Sequence, residues 1–465
     1  MSDASKTYRH LLPPEPQIEL YKEGFEEEDP FGRKSTSAEL SRLVEQIETP
    51  MVIALDGKWG CGKTYFLKRW VGQHGNKNSE GATTVYFDAF ENDFLDDPLI
   101  SLTSIIGQKI DASNQPGAWE KIQNAAAKLA LPVFRIGLAV APTGVSGFLG
   151  PILNAFLAAA SKELQKAAEE FWKKETGKNA AMLELREALA ALTKPENGAI
   201  KPLVVVVDEL DRCRPDYALA LLEIIKHLFS VPHVHFVLGV NLQSLENSVH
   251  ARYGAGIDAE EYLRRFIMLR MELPKQVDAK NGKQMGIAAA YFEDIAQKMN
   301  IPPKTAGAMK PHIALAENAR GVSLRDVNQI ANRMNLSDLD TIEKRSLGYR
   351  SVFCSLVLTE VLDPVLAKSL VNGSPNLEAM EGLFGFSKVT KDENNPMRDH
   401  YYWSKRIHNI WQYIASNGSL QSIDGRDPKD DFPENPFEDN VNGIPQYIHQ
   451  QFFNKFAFFE PSPPQ

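Results

Sequence analysis

One short segment combines glycines, a lysine and a hydroxyl at a spacing that could bind phosphate. Residues 57–64 read GKWGCGKT and fit the pattern G-x-x-x-x-G-K-[ST]. Its glycines would let successive backbone N–H groups curl around phosphate oxygens, while Lys63 would reach the β- and γ-phosphates and Thr64 would offer its hydroxyl to Mg²⁺. The residues that we expect to contact a nucleotide are Gly57, Trp59, Gly60, Cys61, Gly62, Lys63, Thr64 and Tyr65.

A pair of carboxylates follows a second apolar run. Residues 203–207 read LVVVV, and Asp208 and Glu209 come directly after them. Because a bare carboxylate is costly to bury, such a pair normally has a cation or a water to hold. We assign Asp208 to Mg²⁺, through the water shell of the ion, and Glu209 to polarising the attacking water. Asp211 is the next candidate for the base if Glu209 does not serve.

Two further polar candidates have competing structural interpretations. Asn241 follows the apolar run 234–240 and could be a sensor that hydrogen-bonds the γ-phosphate or the lytic water, but Asn after a strand is also an ordinary turn residue. Arg325, with Arg320 as its rival, lies in a helical region after the core, where a cation could reach the γ-phosphate as part of a lid. Arginines on solvated helix faces are common, so a surface role is the alternative.

Two pairs of neighbouring residues also invite a functional interpretation. Arg264 and Arg265 could offer an arginine finger to a second subunit, because phosphoryl transfer needs a cation at the γ-phosphate. An ion pair or a solvated surface position is the alternative for both. His233 and His235 share one face of a strand, but no third ligand is evident, which favours core or surface histidines over a metal site.

The elements that must position these residues are short apolar strands alternating with helices. The predicted strands are 51–55, 84–87, 203–207 and 234–240, with a further edge strand expected over 266–273. Helical patterns lie between them at 63–71, 98–109, 216–229 and 244–253. Continuous apolar strands indicate a sheet covered on both faces, so the alternation predicts an α/β fold with a parallel sheet flanked by helices. Ligands bind at the carboxyl ends of such strands, so the glycine-rich loop and the acidic pair should meet.

The rest of the chain divides into an arm, an insertion and two mostly helical regions. We expect an N-terminal arm at 1–28, a core at 29–275, a helical lid at 276–372 and a mixed, mostly helical, aromatic-rich C-terminal region at 373–465. Within the core, 113–200 forms a helical, partly apolar insertion. After Pro274 the strand signals stop, and helical patterns occupy 285–299, 305–318, 323–334 and 345–370. The early pattern 37–47 also predicts a helix, with Ser37 as its N-cap.

The composition excludes several classes of protein. The 465 residues carry 51 Lys and Arg against 60 Asp and Glu, a net charge of −9. That balance disfavours a main role in coating nucleic acid, which needs a basic surface. Three cysteines, odd in number and widely spaced, provide neither a disulfide framework nor a Cys-based zinc site. Since no apolar core follows its N-terminal charges, the sequence predicts a cytoplasmic protein.

One apolar stretch allows two interpretations. Residues 136–161 carry no charge over 26 positions, which is long enough to span a bilayer. Six of these residues are Gly or Pro, whereas a good spanning helix is richer in Leu, Ile and Val. The stretch is therefore either a membrane-inserted hairpin or a helical pair packed against protein, and its breakers favour the second. Membrane association through 136–161 is the alternative.

Four motifs in matching order resemble the KAP family of P-loop NTPases. They are GKWGCGKT at 57–64 (the P-loop), FDAFE at 87–91, DELDRCRP at 208–215 and YLRRF at 262–266, followed by Leu-Pro at 273–274. The resemblance covers about 29–335 and implies a P-loop NTPase fold. The family includes a bacterial phage-exclusion protein and an animal membrane signalling scaffold, and it often carries membrane helices between the P-loop and the acidic strand. The apolar stretch 136–161 lies in that slot, although it is shorter and less hydrophobic than two membrane spans.

The sequence departs from the family pattern at several of these positions. The P-loop of the family usually reads GPWGSGKS, its acidic motif DDLDR and its later motif Tyr-Leu-Glu-Lys. The departures are Lys58, Cys61, Thr64, Glu209, Arg264 and Arg265. Thr64 keeps the hydroxyl, and Glu209 keeps a carboxylate that can act as base. Arg264 and Arg265 place two cations where one is typical, which leaves the effect on contacts between subunits open.

Together these features predict an Mg²⁺-dependent ATP hydrolase whose nucleotide cycle moves the lid and the insertion and so switches a protein assembly. ATP is favoured over GTP because no Asn-Lys-x-Asp guanine-reading motif occurs. The resemblance alone implies a role in bacterial anti-phage defence. Its expected partners are a second copy of the chain or the proteins of a defence or signalling complex.

Three other functions stay open at this point. The chain could be a nucleotide-regulated scaffold, at a membrane or in a complex, in which hydrolysis is incidental. It could be an ATPase coupled to nucleic acid, which the acidic balance disfavours. It could also be a phosphotransferase that shares the P-loop, although the acidic pair at the end of a core strand suits water activation better.

Overall fold

A five-stranded parallel sheet lies at the centre of the N-terminal half. The computed structural model describes residues 18–25, 29, 31–77, 82–95, 97–111, 121–122, 124, 175–193, 200–228, 230–278, 284–389, 398–419, 427–433 and 441–453. The strands of the sheet are β1 (Val52–Asp56), β2 (Thr83–Asp88), β3 (Leu203–Asp208), β4 (Val234–Val240) and β5 (Leu269–Glu272). They pair in parallel in the order β2-β3-β4-β1-β5. The predicted α/β fold is confirmed, including the edge strand expected within 266–273.

The register of the strands brings their carboxyl ends to one edge of the sheet. Asp56 of β1 pairs with Val240 of β4, and Asp208 of β3 lies beside both Gly239 of β4 and Asp88 of β2. Four strands therefore end nearly level with one another. The P-loop follows β1 and the acidic pair follows β3, so only β4 separates their starting points.

Helices pack around both faces of this sheet. They are α1 (Lys34–Gln46), α2 (Lys63–Lys77), α3 (Pro98–Asp111), α4 (Glu175–Thr193), α5 (Pro215–Leu228), α6 (Leu242–Tyr253) and α7 (Ala259–Arg264). Because successive side chains of a strand point to opposite faces, the apolar run of β3 serves two cores. Val204 and Val206 pack in the core that contains Phe66 and Trp70 of α2, and the alternate valines pack in the core of α3 and α5. Continuous apolar strands follow from burial on both sides.

Helix α1 begins earlier than the sequence predicted. The expected N-cap, Ser37, is buried inside the helix, which starts at Lys34. The Asp29 carboxylate accepts hydrogen bonds from the backbone N–H groups of Arg33, at 2.8 Å, and Lys34, at 2.9 Å. An acceptor from the preceding turn therefore satisfies the first donors of the helix, and the prediction of Ser37 as N-cap is wrong.

A short hairpin and then a run of helices follow the sheet. The hairpin pairs β6 (Gln276–Asp278) with β7 (Gln284–Gly286) in antiparallel register. The helices are α8 (Ile287–Lys298), α9 (Pro303–Arg320), α10 (Leu324–Asn335), α11 (Leu339–Glu343), α12 (Leu347–Leu362), α13 (Pro364–Val371) and α14 (Leu377–Phe384). The expectation that strands stop after Pro274 is therefore wrong. The pattern predicted as continuous over 345–370 is broken before Pro364, which cannot continue the ladder of backbone hydrogen bonds.

The C-terminal region packs into the core of the lid. Its helices are α15 (Arg398–Ala415) and α16 (Gly443–Ile448), and Trp411 of α15 donates a hydrogen bond of 3.0 Å to the Ser355 hydroxyl of α12. Buried side chains from Ala288 to Ile448 belong to one hydrophobic cluster. That core therefore continues across residue 372, where the sequence suggested a division.

Most of the predicted insertion lies outside the described residues. Between 113 and 200 the structure describes α4, residues 121–122 and 124, and Ile200. The apolar stretch 136–161 is entirely outside this part. No described helix has both the length and the apolar character that crossing a membrane requires.

Candidate functional site

The P-loop curls tightly between β1 and α2. Gly60 and Gly62 have φ angles of +81° and +85°, in the left-handed region that other residues avoid. Lys63 begins α2, and its ammonium folds back to donate to the carbonyl oxygen of Gly57 at 2.5 Å and that of Lys58 at 3.4 Å. The loop is thus closed around the lysine, and its curvature depends on the glycines that the motif requires.

A buried arginine that the sequence did not single out supports the P-loop. The Arg33 guanidinium is fully buried and donates to the carbonyl oxygens of Gly62, at 2.9 Å, and Cys61, at 2.8 Å. It also lies over the Phe31 ring, 4.7 Å from the centroid. Burial lowers the pKa of Arg33 to about 10, so the group stays charged at neutral pH. Its bonds to two successive carbonyls fix the backbone at the turn into α2.

The Asp208 carboxylate lies at the tip of β3, buried and surrounded by donors. The Tyr86 hydroxyl donates to its Oδ2 at 2.9 Å, and the Glu209 N–H donates to its Oδ1 at 3.0 Å. Burial raises the pKa of Asp208, and these hydrogen bonds oppose that rise. The Thr64 hydroxyl of the P-loop lies near this carboxylate and also lowers its pKa. A Cβ at Gly239 would lie 2.3 Å from Asp208 Oδ1, so glycine on β4 leaves the room that the carboxylate occupies.

Glu209 adopts a different backbone conformation from its neighbour. Its φ of 58° and ψ of 25° are left-handed, which is uncommon for any residue except glycine. Its carboxylate pairs with the Arg212 guanidinium at 3.0 Å, and 17% of the side chain is exposed. Burial raises the pKa of Glu209, while the charge of Arg212 lowers it. The Glu209 carboxylate is therefore partly accessible to solvent, and Arg212 competes with water for it.

Asp211, the alternative base, contacts the P-loop. The Trp59 indole N–H donates to Asp211 Oδ2 at 2.6 Å, and 46% of the tryptophan is exposed. Sequence reasoning placed Trp59 among nucleotide contacts but did not find this bond. It joins the P-loop directly to the acidic motif.

Asn241 lies between the two motifs. It follows β4, the strand between β1 and β3, and the Gly57 N–H donates to the preceding carbonyl of Val240 at 3.1 Å. Its side chain does not cap α6; the Asp56 carboxylate accepts from the Leu242 N–H instead, at 2.9 Å. The sensor role of Asn241 stays a prediction.

Helix α10 brings Arg325 beside the P-loop. The Leu324 N–H donates to the carbonyl oxygen of Gly60 at 2.8 Å, and a Cβ at Gly60 would lie 3.1 Å from Arg325 Cβ. Ser323 and Asp326 form a capping box that fixes the start of α10 at this contact. Arg325 is exposed here, whereas its rival Arg320 is the last residue of α9.

Arg264 and Arg265 lie near the amino ends of the strands, on the opposite side of the sheet from the P-loop. They precede the amino end of β5, which runs parallel to β1, whereas the P-loop follows the carboxyl end of β1. Arg264 pairs with Glu260 at 2.6 Å, and Arg265 lies 5.8 Å from the centroid of the Tyr262 ring. The length of β1 separates them from the P-loop of the same chain, roughly 16 Å at about 3.3 Å per residue. The structure does not bring these arginines to the site of their own chain.

Of the two histidines, only His235 lies on β4, whereas His233 precedes the strand in left-handed backbone, with a φ of 62°. His235 is buried, and His233 lies 3.8 Å from the carboxylate of Glu48. Within the described part of the chain, no group of three or more His, Cys, Asp or Glu side chains could hold a metal ion.

Several known proteins are similar to this chain in sequence or in structure. The Phage T7 exclusion protein of Escherichia coli strain K12 is 22% identical over 352 residues, which are 73% of this chain. The chain spans 45% of that protein, less than half its length. Among solved structures, the Aeropyrum pernix ORC2 protein in ADPNP–ADP complexes aligns over 90% of this chain and 95% of its own, at 13% identity and a TM-score of 0.36. Drosophila ORC bound to GC-rich DNA and Cdc6 aligns over 81% and 48%, at 13% identity and a TM-score of 0.31.

A family match covers the sheet, the P-loop and the start of the helical lid. The KAP family P-loop domain matches residues 33–338, which include the P-loop, the acidic strand and α10. The match starts at the arginine that braces the P-loop and continues past the helix that docks on it. This chain therefore belongs to the KAP family of P-loop NTPases.

Proposed function

We propose that the chain is an Mg²⁺-dependent ATP hydrolase whose nucleotide cycle switches a protein assembly. The observation that carries this proposal is that the P-loop and the acidic motif meet. Trp59 donates to Asp211 Oδ2 at 2.6 Å. The Thr64 hydroxyl lies near enough to the Asp208 carboxylate to lower the pKa that burial raises. In P-loop NTPases the residue types of Thr64 and Asp208 hold Mg²⁺. Glu209 follows directly, so a metal site and a candidate base adjoin the loop that would hold the phosphates.

The donor set suits Mg²⁺. This hard cation prefers oxygen ligands and usually binds through one or two carboxylates, several waters and the phosphates of the substrate. Thr64 and Asp208 offer such oxygens, and Asp88 adds negative charge nearby. When bound, the ion would neutralise charge on the β- and γ-phosphate oxygens.

The residues of the chain would then orient the water and the phosphates. Glu209 is our candidate for the general base, because its raised pKa makes the carboxylate a better proton acceptor. Lys63 would exchange the carbonyl of Gly57 for phosphate oxygens. The amide of Asn241, which is not used in capping α6, would hold the lytic water or the γ-phosphate.

The docked helix α10 is our candidate for the switch. The N–H of its first residue, Leu324, donates to Gly60 of the P-loop, so a change in the loop when phosphates bind or leave would act on the start of the helix. Arg325 is the in-chain rival to Arg264 and Arg265 for the cation near the γ-phosphate. Because α10 belongs to the core that α15 and α16 share, a shift of α10 could reach surfaces that partner proteins contact.

A second copy of the chain would complete the site. Arg264 and Arg265 are exposed and remote from their own P-loop, so they can serve only a neighbouring subunit. A role in defence against phage is supported by the name of the curated relative, the Phage T7 exclusion protein.

One contact favours a second candidate, a nucleotide-regulated scaffold with incidental hydrolysis. The ion pair between Arg212 and Glu209 holds the candidate base at 3.0 Å from a cation. If this pair persists when ATP binds, the base is a weak one, and bound ATP would act mainly by ordering the chain.

ATP hydrolysis by Glu209→Gln, beside wild type and Asp211→Asn, tests the proposal. Glu209→Gln keeps the shape of the side chain and loses the base. It should therefore bind ATP with wild-type affinity, and its rate of phosphate release should fall by about 100-fold or more. Asp211→Asn should keep most of the turnover. Full activity in Glu209→Gln would move the base elsewhere, and wild-type protein that binds ATP without releasing phosphate would favour the scaffold.

A further inference from the structure

A tyrosine on β2 reaches the carboxylate that we assign to the metal. We propose that Tyr86 is a positioning residue that fixes the Asp208 carboxylate for Mg²⁺ binding. This inference rests on the proposed function of Asp208. It concerns a residue outside the P-loop and the acidic motif, one that lies between Val85 and Phe87, which belong to the core on the other face of the sheet.

The parallel pairing of β2 with β3 sets the geometry. Tyr86 pairs with Val206 in register, two residues before Asp88 pairs with Asp208. From there the Tyr86 hydroxyl donates to Asp208 Oδ2 at 2.9 Å. Tyr86 is 8% exposed and Asp208 is 1% exposed, so little water competes for this bond. A buried hydrogen bond to a charged group is stronger than an exposed one.

The donors around Asp208 hold both of its oxygens. The Glu209 N–H donates to Oδ1 at 3.0 Å and the Tyr86 hydroxyl donates to Oδ2 at 2.9 Å, while the Thr64 hydroxyl lies nearby. Donors on opposite oxygens fix the rotation of a carboxylate about its last bond. If the Tyr86 hydroxyl is removed, the buried Oδ2 of Asp208 loses a hydrogen-bond donor, and the plane of the carboxylate is less constrained. Losing a partner of this kind typically costs about 10–100-fold in metal affinity.

The chain offers a matched control in Tyr21. The Tyr86 N–H donates to the Tyr21 hydroxyl at 3.0 Å, so Tyr21 supports the same strand through the backbone of Tyr86. Tyr21 belongs to residues 18–25, which pack along α2: Arg69 donates to the carbonyl of Gly24 at 2.6 Å. Loss of either tyrosine hydroxyl therefore removes one hydrogen bond at β2, but only Tyr86 bonds to Asp208.

The experiment compares Tyr86→Phe and Tyr21→Phe with wild type in the full chain. ATP binding is measured by calorimetry over a Mg²⁺ series and again with excess chelator. Tyr86→Phe should raise the half-saturating Mg²⁺ concentration about tenfold or more. Its metal-free ATP affinity should stay within about twofold of wild type, which also shows that the variant is folded. Tyr21→Phe should leave the Mg²⁺ dependence unchanged.

Three outcomes would overturn the inference. An unchanged Mg²⁺ dependence in Tyr86→Phe would mean that the hydroxyl does not position Asp208. An equal rise in Tyr21→Phe would assign the effect to the stability of β2. If the wild-type protein binds ATP equally well with and without Mg²⁺, the proposed function fails as well. That result is distinct from the first two because it is seen in the wild type alone, before any variant is compared.

Discussion

Asp208 and Glu209 are neighbours in the chain, yet different partners hold them. Asp208 ends β3 in extended backbone and is enclosed by Tyr86 and Thr64. Glu209 turns into the left-handed region, which directs its side chain toward Arg212 and partly toward solvent. Backbone strain of this kind is frequent at functional sites. The two carboxylates can therefore differ in role, one toward a metal and the other toward a water.

The Arg212–Glu209 pair leads to a prediction about pH. As the base, Glu209 must be deprotonated, so turnover should fall as the pH drops through its pKa. Arg212 lowers that pKa, and Arg212→Gln removes the charge, so the pKa should rise and the acid limb of the kcat profile should move to higher pH. Arg212→Lys, which keeps the charge, should move the limb less.

The pH profiles of wild type and both variants check this prediction. A limb that stays in place in Arg212→Gln, or moves to lower pH, would mean that Glu209 does not titrate in the catalytic step.

At the level of single residues, the spacing of a motif predicts only part of the site. The P-loop and the acidic pair were found because their glycines, lysine and carboxylates follow one another in the chain. Arg33 and the partner of Trp59 were not, because their contacts join residues 28 to 152 positions apart. An arginine in a turn and a tryptophan in a loop carry no sequence signal for such a bond.

Among the helices and strands, the junction of α10 with the P-loop is the contact through which nucleotide could act. The capping box at Ser323 starts the helix at a defined residue, and the Leu324 N–H binds Gly60. Helix α10 therefore contacts the P-loop at Gly60, where there is little room for a side chain.

Gly60→Ala should weaken this junction. Its φ of +81° costs an alanine about 1–2 kcal/mol, and the added Cβ would lie 3.0 Å from Ser323 Oγ. We expect a loss in the free energy of unfolding of about that size, measured by urea titration, together with weaker ATP binding.

Gly307 of α9 is the matched control. Among the described atoms, none lies within 4 Å of a Cβ added there, and alanine is the better helix former by up to about 1 kcal/mol. Gly307→Ala should leave ATP binding unchanged and stabilise the protein slightly. If Gly60→Ala and Gly307→Ala behave alike, the junction with α10 is not a constraint.

Elements with a long, regular pattern were predictable, and short ones were not. The apolar runs of β1 to β4 and the helices between them follow directly from burial on two faces of the sheet. The hairpin of β6 and β7 has three residues in each strand, too few for an alternating pattern, although Asn281-Gly282 is a turn signal that could have indicated it. The start of α1 depends on Asp29, four residues before Arg33, which a search for a single N-cap does not find.

On the scale of the whole molecule, the proposal requires a second copy of the chain. Supplying the cation at the γ-phosphate from a neighbour can contribute about 10³-fold or more to the rate. Specific activity should therefore rise with protein concentration. Arg264→Ala or Arg265→Ala should cut turnover while ATP affinity stays nearly intact, as measured by phosphate release and calorimetry.

Mixing variants separates this role from a structural one. Each arginine variant is combined with Glu209→Gln, since one retains the base and the other retains the arginines. Recovery of activity in the mixture would mean that the arginine acts across an interface. If activity is not recovered and specific activity does not change with protein concentration, Arg264 and Arg265 are surface residues. Arg325 then becomes the candidate for the cation at the γ-phosphate.

Nucleotide binding by Lys63→Ala is the most direct test of the central claim that the P-loop binds Mg-ATP. The ammonium lies inside the loop, bound to the carbonyls of Gly57 and Lys58, where a phosphate would take their place. Its removal leaves the β- and γ-phosphates without their main protein cation. In calorimetric titrations with Mg-ATP, wild type should bind and Lys63→Ala should show no tight binding. Affinity within a few-fold of wild type in Lys63→Ala would contradict the account.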